Sequence, residues 1–357
     1  MECLSMINKK RRDFIILLLS EVFMFSTVAK AEDIVYFRNN DLTTVKNDFL
    51  GNEMLNGEFI NLKSEDKSIF EILKWKFSSN PKREKKTNEN YRLKVIKNPE
   101  VLNSKDDYIC WLGHASFLIQ IDGKKLVTDP CLTSPPFVTR HTDLPFEIRD
   151  INPNYLLVSH GHYDHLDSDT VRHFNNSIAL IPLKMSSIIN SMNQTIKTQE
   201  AGWFQKYDID EKFKIYFLPS YHWHKRNLID ANKVLWGSYI IETQNKTIYF
   251  AGDTGYNSHF KEIGELFDID IAILPIGAYA PRWFMKDSHM NPKDAIQAFS
   301  DLKAKELIPM HFGTFDISDE PMGEPEDMIR EFGINKNLRL INIGEKILFN
   351  KKEKKYA

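Results

Sequence analysis

Ten residues, Leu-Leu-Val-Ser-His-Gly-His-Tyr-Asp-His at 156–165, constrain this chain more than any others: an apolar run stops abruptly at three histidines and an aspartate. Residues 155–158 read as a buried strand, because a short apolar and aromatic run follows the breakers Asn152 and Pro153. The loop it delivers carries His160, His162, Asp164 and His165. Two imidazoles can point one way, and the adjacent carboxylate and imidazole the other, a set that suits two cations better than one. Imidazole and carboxylate without thiolate form a ligand set for zinc, iron or manganese, and such a short loop leaves each metal incomplete. Further ligands must come from elsewhere in the chain. The alternative, a polar surface loop rich in histidine, must gather three of the chain's eleven histidines directly behind a strand.

At 357 residues the chain has ample length to bury a core. A net charge of -2 argues against a dedicated nucleic-acid binder, and no Gly-rich phosphate loop is present. Residues 1–31 have the order of a secretory signal or N-terminal anchor: Lys9-Lys10-Arg11-Arg12, an apolar stretch, then Ala29-Lys30-Ala31. Asp13 and Glu21 interrupt the apolar stretch. The expected location is therefore exported, periplasmic or secreted, or peripheral at a membrane. Beyond this segment only Cys110 and Cys131 remain, and spacing does not say whether they pair or are simply buried. Residues 351–357 read as a basic tail.

Residues 32–107 are broken by Asn and Gly and read as an extension that wraps the main domain without a core of its own. Within it, residues 68–77 place Ile69, Phe70, Ile72, Leu73, Trp75 and Phe77 at near-helical spacing, with Lys74 and Lys76 between them. Such a helix can lie on an anionic membrane surface, or it can pack its apolar face on the main domain.

The main domain is expected at 108–350. Strands are predicted at 108–112, 117–121 and 125–128, with Asp122-Gly123 as a hairpin turn. Asp129 follows the third and is placed either to accept an imidazole N–H or to cap a turn; His114, between the first two, is expected with it behind the ligands. Ser168 or Asp169 should cap a helix, and 178–182 and 214–218 are further strands. The second of these runs into His222 and His224. Either imidazole could be a ligand, and His222 is preferred because it comes sooner after the strand. Arg226 could hold an anion or make a surface ion pair. Strands at 234–241 and 246–250 lead to Asp253, flanked by glycines that let backbone approach a bound ion. The strand at 271–274 precedes a loop of large residues at 275–285, which reads as a lipid-facing rim, an apolar substrate wall or a packed edge. A helix at 291–302 should be capped by Asn291, and a last strand at 307–310 ends at His311. Five histidines and two aspartates thus each follow a strand.

The order of these elements resembles the metallo-β-lactamase superfamily, whose His-x-His-x-Asp-His signature matches residues 160–165. Within it, Trp111-Leu112-Gly113-His114-Ala115, the 232–238 run and the 279–285 stretch resemble the N-acylphosphatidylethanolamine-hydrolysing phospholipase D family. The resemblance implies an α/β fold, an αββα sandwich with metals at the strand ends. It implies two zinc ions per chain: His160, His162 and His222 on one, Asp164, His165 and His311 on the other, and Asp253 between them. It also implies a phospholipid substrate at a membrane surface, and it alone suggests a homodimer. His224 stands where mammalian-like members tend to carry Cys.

The hydrolysis expected from that likeness uses two metals to lower the pKa of a shared water from ~15.7 towards ~7. Asp164 and Asp253 are the catalytic carboxylates, and Arg226, Tyr163 and His289 are candidates for substrate contact. The expected products are phosphatidic acid and an N-acylethanolamine. A lactonase or phosphodiesterase acting on a small soluble substrate is the rival enzyme. A non-catalytic zinc protein is the rival of another class, although structural zinc sites are closed and often use Cys.

Overall fold

Along residues 108–112 every side chain is buried, but not against the same neighbours. Ile109 and Trp111 join one core and Tyr108, Cys110 and Leu112 another, as the two-residue period of a strand covered on both faces requires. The computed structural model describes residues 33–61, 69–136, 138–209, 212–227, 229–332 and 337–349. The signal-like segment 1–31 and the basic tail 351–357 lie outside them.

The extension begins with a small antiparallel sheet, β1 (Val35–Phe37), β2 (Asn52–Leu55) and β3 (Glu58–Phe59). The sequence reading had no strands here. Those strands are short and broken by Asn and Gly, so no hydrophobic period marks them. Their buried apolar side chains, Met54 and Phe59, belong to the core of the main domain. Beyond them the chain forms β4 (Tyr108–Gly113), β5 (Ser116–Ile121), β6 (Lys124–Thr128), β7 (Tyr155–Leu157), β8 (Ile178–Pro182) and β9 (Lys197–Ala201). A second sheet is built from β10 (Gln205–Lys206), β11 (Phe213–Leu218), β12 (Ser238–Thr243), β13 (Thr247–Phe250), β14 (Ile271–Pro275) and β15 (Glu306–Met310) in that spatial order. Strand β16 (Lys346–Leu348) returns to the first sheet and pairs with β4, giving the order β16-β4-β5-β6-β7-β8-β9.

Trp111, Phe117, Leu126 and Leu157 of the first sheet share one core with Phe217, Tyr239, Phe250 and Ile273 of the second. The other face of the first sheet packs Val127, Leu156 and Ile181 against Val171 and Ile189, from the helices Ser168–Val171 and Ser186–Met192. The helices His259–Leu266, Pro292–Asp301 and Glu324–Glu331 cover the second sheet with Phe260, Ala295 and Ile329. The result is an αββα sandwich. The metal-type residues follow the carboxyl ends of strands, with a parallel neighbour behind the 159–165 loop, Asp253 and His311, and with only antiparallel neighbours behind His222.

Two local readings are corrected, and a third that spacing left open is resolved. The run 234–237 is buried but not a strand: Leu235 N–H donates to Leu183 O, and Gly237 N–H to Ser159 O. Those bonds tie the two sheets together, so the apolar signal reflected burial and not pairing. The cap of the helix Ser168–Val171 is Asp167, which accepts from Asp169 N and Thr170 N. Cys110 and Cys131 are both free and buried. Asp122 and Gly123 take positive φ in the expected hairpin turn, and Asn291 forms a capping box with Asp294, whereas the end of the expected loop 275–285 is a short helix, Arg282–Met285.

Candidate metal centre

The strand ends of the two sheets meet at one point. From the first come His114, Asp129 and the loop 159–165; from the second come His222, Asp253 and His311. Gly252 permits the meeting: a Cβ there would lie 2.5 Å from Ser159 Cβ, and its φ is +59°. His114, Asp129 and His311 also take positive φ, a backbone that few residues other than glycine adopt.

One group is an imidazole trio. His160 Nε2 lies 2.9 Å from His162 Nδ1, and His222 Nε2 lies 3.2 Å from the same atom. The outer nitrogens of two rings are engaged. His160 Nδ1–H donates to Ser159 Oγ at 2.9 Å, and His222 Nδ1–H donates to Ser288 O at 3.0 Å. Their Nε2 lone pairs therefore face inward. Burial, with the neighbouring imidazoles, holds His160 and His162 well below the usual histidine range, and His222 is lowered to about 3, again chiefly by burial. The neutral Nε2 lone pairs of His160 and His222 converge on Nδ1 of His162, and with the His162 proton on its outer Nε2 the three rings present lone pairs to one point, an arrangement that fits a cation such as zinc.

The second group brings His165 Nε2 within 3.1 Å of His311 Nε2, with Asp164 Oδ2 at 3.6 and 3.7 Å from these two atoms. His165 Nδ1–H donates to Asp129 Oδ2 at 2.7 Å, which fixes its tautomer. Asp253 lies between the groups. Its Oδ2 is 3.1 Å from His165 Nε2 and 3.9 Å from His222 Nε2, and its Oδ1 is 3.0 Å from His311 Nε2. Burial works against ionising Asp253, but His165, His311 and His289 outweigh it and hold the carboxyl well below the usual carboxylate range. Asp164 is depressed in the same way against its burial, first by His165 and then by His114. Burial also opposes a charge on His311, yet Asp253 and Asp164 raise it to about 9.

The fold thus brings together His160, His162, Asp164, His165, His222, Asp253 and His311. His224 is left out, its Nδ1 accepting from Gly161 N–H. Two residues sit closer than expected. His114 Nε2 is 3.0 Å from Asp164 Oδ2, and His289 Nδ1 is 3.7 Å from Asp253 Oδ2, so each is within reach of a candidate metal group. Arg226 does not face the mouth: its Nη1 donates to Gly161 O and Leu166 O, and its guanidinium lies 4.3 Å from the Tyr163 ring. Tyr163 itself is partly exposed at the rim. Ser159 was missed by the sequence reading. It donates to Asp129 from both N and Oγ while holding His160, and only its position before His160 could have flagged it.

Residues 124–312 match a beta-lactamase superfamily domain. The chain belongs to the metallo-β-lactamase superfamily. It is a metal-dependent hydrolase of that superfamily, with the His and Asp cluster at its strand ends. It is 35% identical over 252 residues to the N-acyl-phosphatidylethanolamine-hydrolyzing phospholipase D 1 of Caenorhabditis elegans, covering 63% of this chain and 69% of that protein. It is 32% identical over 247 residues to the mitochondrial protein of the same activity name from Saccharomyces cerevisiae, covering 63% of this chain but only 52% of the yeast protein. Among solved structures, a metallo hydrolase of the archaeon Ignicoccus hospitalis shares the fold, with a TM-score of 0.54, 21% identity, and coverage of 70% of this chain and 100% of that one.

Proposed function

We propose that this metallo-β-lactamase superfamily chain is a zinc-dependent phospholipase D-type hydrolase that cleaves N-acylphosphatidylethanolamine to phosphatidic acid and an N-acylethanolamine. The observation that carries the chemistry is Asp253, whose two oxygens reach toward both groups of imidazoles. His160, His162 and His222 would hold one zinc, Asp164, His165 and His311 the other, with Asp253 shared. Two zinc ions bound there would supply an activated water at neutral pH and electrostatic stabilisation of a phosphoryl group.

The chain's own residues supply the rest. Asp164 is the more exposed of the two ligand carboxylates, and with its carboxyl held well below the usual range it stays ionised to face a cation. Ser159, Asp129 and the Ser288 carbonyl fix the ring nitrogens, which keeps the centre organised before substrate arrives. His289 stands beside Asp253 on the wall of the site.

The lipid assignment draws on the names of the nematode and yeast relatives and on the rim. Exposed Tyr163 and Trp223 flank the imidazole trio, with the Trp223 ring 4.5 Å from that of His162. From His289 the rim continues through Arg282, which donates to His289 O, to Trp283 and Phe284. There it meets the aromatic helix Ile69–Phe77, where Trp75 stacks on Phe284 at 4.9 Å and Lys74 lies 4.6 Å over Trp283. Phe70 and Phe77 of that helix are each 78% exposed. Such a face suits a membrane surface, where the substrate resides.

The deciding experiment measures phosphatidic acid release from N-acylphosphatidylethanolamine vesicles by zinc-loaded protein and by an Asp253→Asn variant. Release by the wild type and a loss of at least 100-fold in the variant is the expected result. A protein that holds two zinc ions but releases nothing would sink the lipid assignment and redirect the search to soluble phosphodiesters and lactones.

A further inference from the structure

Three of the four inward-facing rings on the 160–165 loop and at 222 have an outer nitrogen held by a neighbour; His162 does not. His160 is held by Ser159, His165 by Asp129 and His222 by the Ser288 carbonyl. The outer Nε2 of His162 is buried without a hydrogen-bond partner among the described residues. Its inner atom is Nδ1, the ring nitrogen nearer the backbone, so the backbone largely determines where that atom sits.

That backbone is gripped from both sides at the adjoining residue. Gly161 N–H donates to His224 Nδ1 at 3.2 Å, and Gly161 O accepts from Arg226 Nη1 at 3.0 Å. The same Nη1 donates to Leu166 O at 2.7 Å, so it spans the loop. His224 is fully buried and lies so close that a Cβ on residue 161 would fall 2.1 Å from its Cε1. Glycine is needed there because of that ring, not because of φ. His224 and Arg226 are in turn fixed by one turn: His224 N–H donates to Asn232 Oδ1, and Asp230 Oδ1 accepts from Arg226 N–H. Since Nδ1 of His224 accepts, its proton is on Nε2, which faces Asp230 Oδ2 at 3.7 Å.

We infer that His224 and Arg226 are positioning residues: by clamping the Gly161 peptide they set His162 Nδ1 against His160 and His222, replacing the side-chain partner that His162 lacks. This rests on the dimetal reading above. It predicts an effect confined to the trio, because the Asp164, His165 and His311 group is steadied separately through Asp129 and His114.

The test is zinc stoichiometry and affinity, by competition with a chromophoric chelator, together with the visible spectrum of the cobalt-substituted protein. His224→Leu keeps bulk but removes the acceptor; it should weaken one of two zinc ions by about 10–100-fold and leave the other unchanged. His224→Asn can place Oδ1 near the position of Nδ1 and should recover most of the affinity, whereas His224→Gln places its amide near Nε2 and should not. Should His224→Leu fail to fold, as judged by circular dichroism, the Asn and Gln variants carry the test. Equal affinities and cobalt spectra across the folded variants would overturn the clamp while leaving the dimetal reading standing. A wild type that holds fewer than two ions would overturn both.

Discussion

Three donors converge on the buried carboxylate of Asp129: Ser159 N–H and Oγ–H, each at 2.7 Å, and His165 Nδ1–H at 2.7 Å. The carboxylate thereby fixes rings in both candidate groups, His165 directly and His160 through Ser159. An Asp129→Asn variant keeps the shape but turns one acceptor oxygen into a donor, so one N–H or O–H loses its partner. Zinc affinity is expected to fall by about 10–100-fold, as is typical when the group behind a metal-binding imidazole is changed. Chelator competition on folded protein measures it, and unaltered affinity would remove Asp129 from the centre. At this scale the residues that meet were legible, because each follows a strand and strand ends converge in such a sheet. The target of Arg226 was not. A guanidinium that binds main-chain carbonyls leaves no trace in the identity of its partners, whereas a phosphate or carboxylate partner is what its chemistry usually suggests.

The segment between the aromatic helix and β4 shows what strand and helix periodicity cannot show. The helix Arg83–Asn88 buries no residue, and its charge run looks like a solvated loop in sequence. In the fold it is a staple. Lys82 and Lys85 pair with Glu324, Lys86 pairs with Asp316, and Glu89 accepts from Met322 N–H and Gly323 N–H at 2.7 and 3.0 Å. These bonds secure the stretch 314–324 that follows His311, so the extension steadies the outer wall of the site. Burial raises the Glu324 carboxyl, but Lys82, Tyr279 and Lys85 outweigh it and bring it below its ordinary value of 4.5. A depressed folded value means that this stabilisation is complete above pH 4.5 and is lost as pH falls through the folded value. Glu324→Gln is therefore expected to lower stability by about 1–3 kcal/mol at pH 7. The gap from wild type should narrow as the pH falls below 4.5. Denaturant melts at pH 7 and pH 3.5 measure both, and a gap independent of pH would mean that the charge of Glu324 is not what holds the staple.

For the whole molecule the question is which face meets the substrate. The strands were legible as short apolar runs and the sandwich through the family resemblance that the order of ligand positions carries, but the packing of the aromatic helix was not, since its period allows either a packed or an exposed face. The structure divides the helix: Trp75 stacks on Phe284 and donates to Asp319 Oδ2 at 3.0 Å, while Phe70 and Phe77 remain exposed. Trp75 thus anchors the helix beside the rim and leaves Phe70 and Phe77 exposed beside Lys74 and Lys76; on the function proposed above, the two phenylalanines are the side chains that enter the bilayer. Inserting a phenylalanine side chain is worth about 1.5–3 kcal/mol, so realising half of that gives about 3- to 13-fold in binding per residue and at least about tenfold for the pair. A Phe70→Ser, Phe77→Ser double variant should bind anionic vesicles at least tenfold more weakly in a sedimentation assay and lose turnover on vesicles in proportion. Hydrolysis of a short-chain, monomeric phosphodiester should be unchanged, because neither residue lies at the metal centre. Raising the salt should weaken vesicle binding of wild type and variant alike, as attraction of the neighbouring lysines to the anionic surface is screened. If vesicle binding and turnover survive both serines, the helix serves only to pack the extension onto the rim, and the bilayer must be met by Tyr163, Trp223 and Trp283 instead.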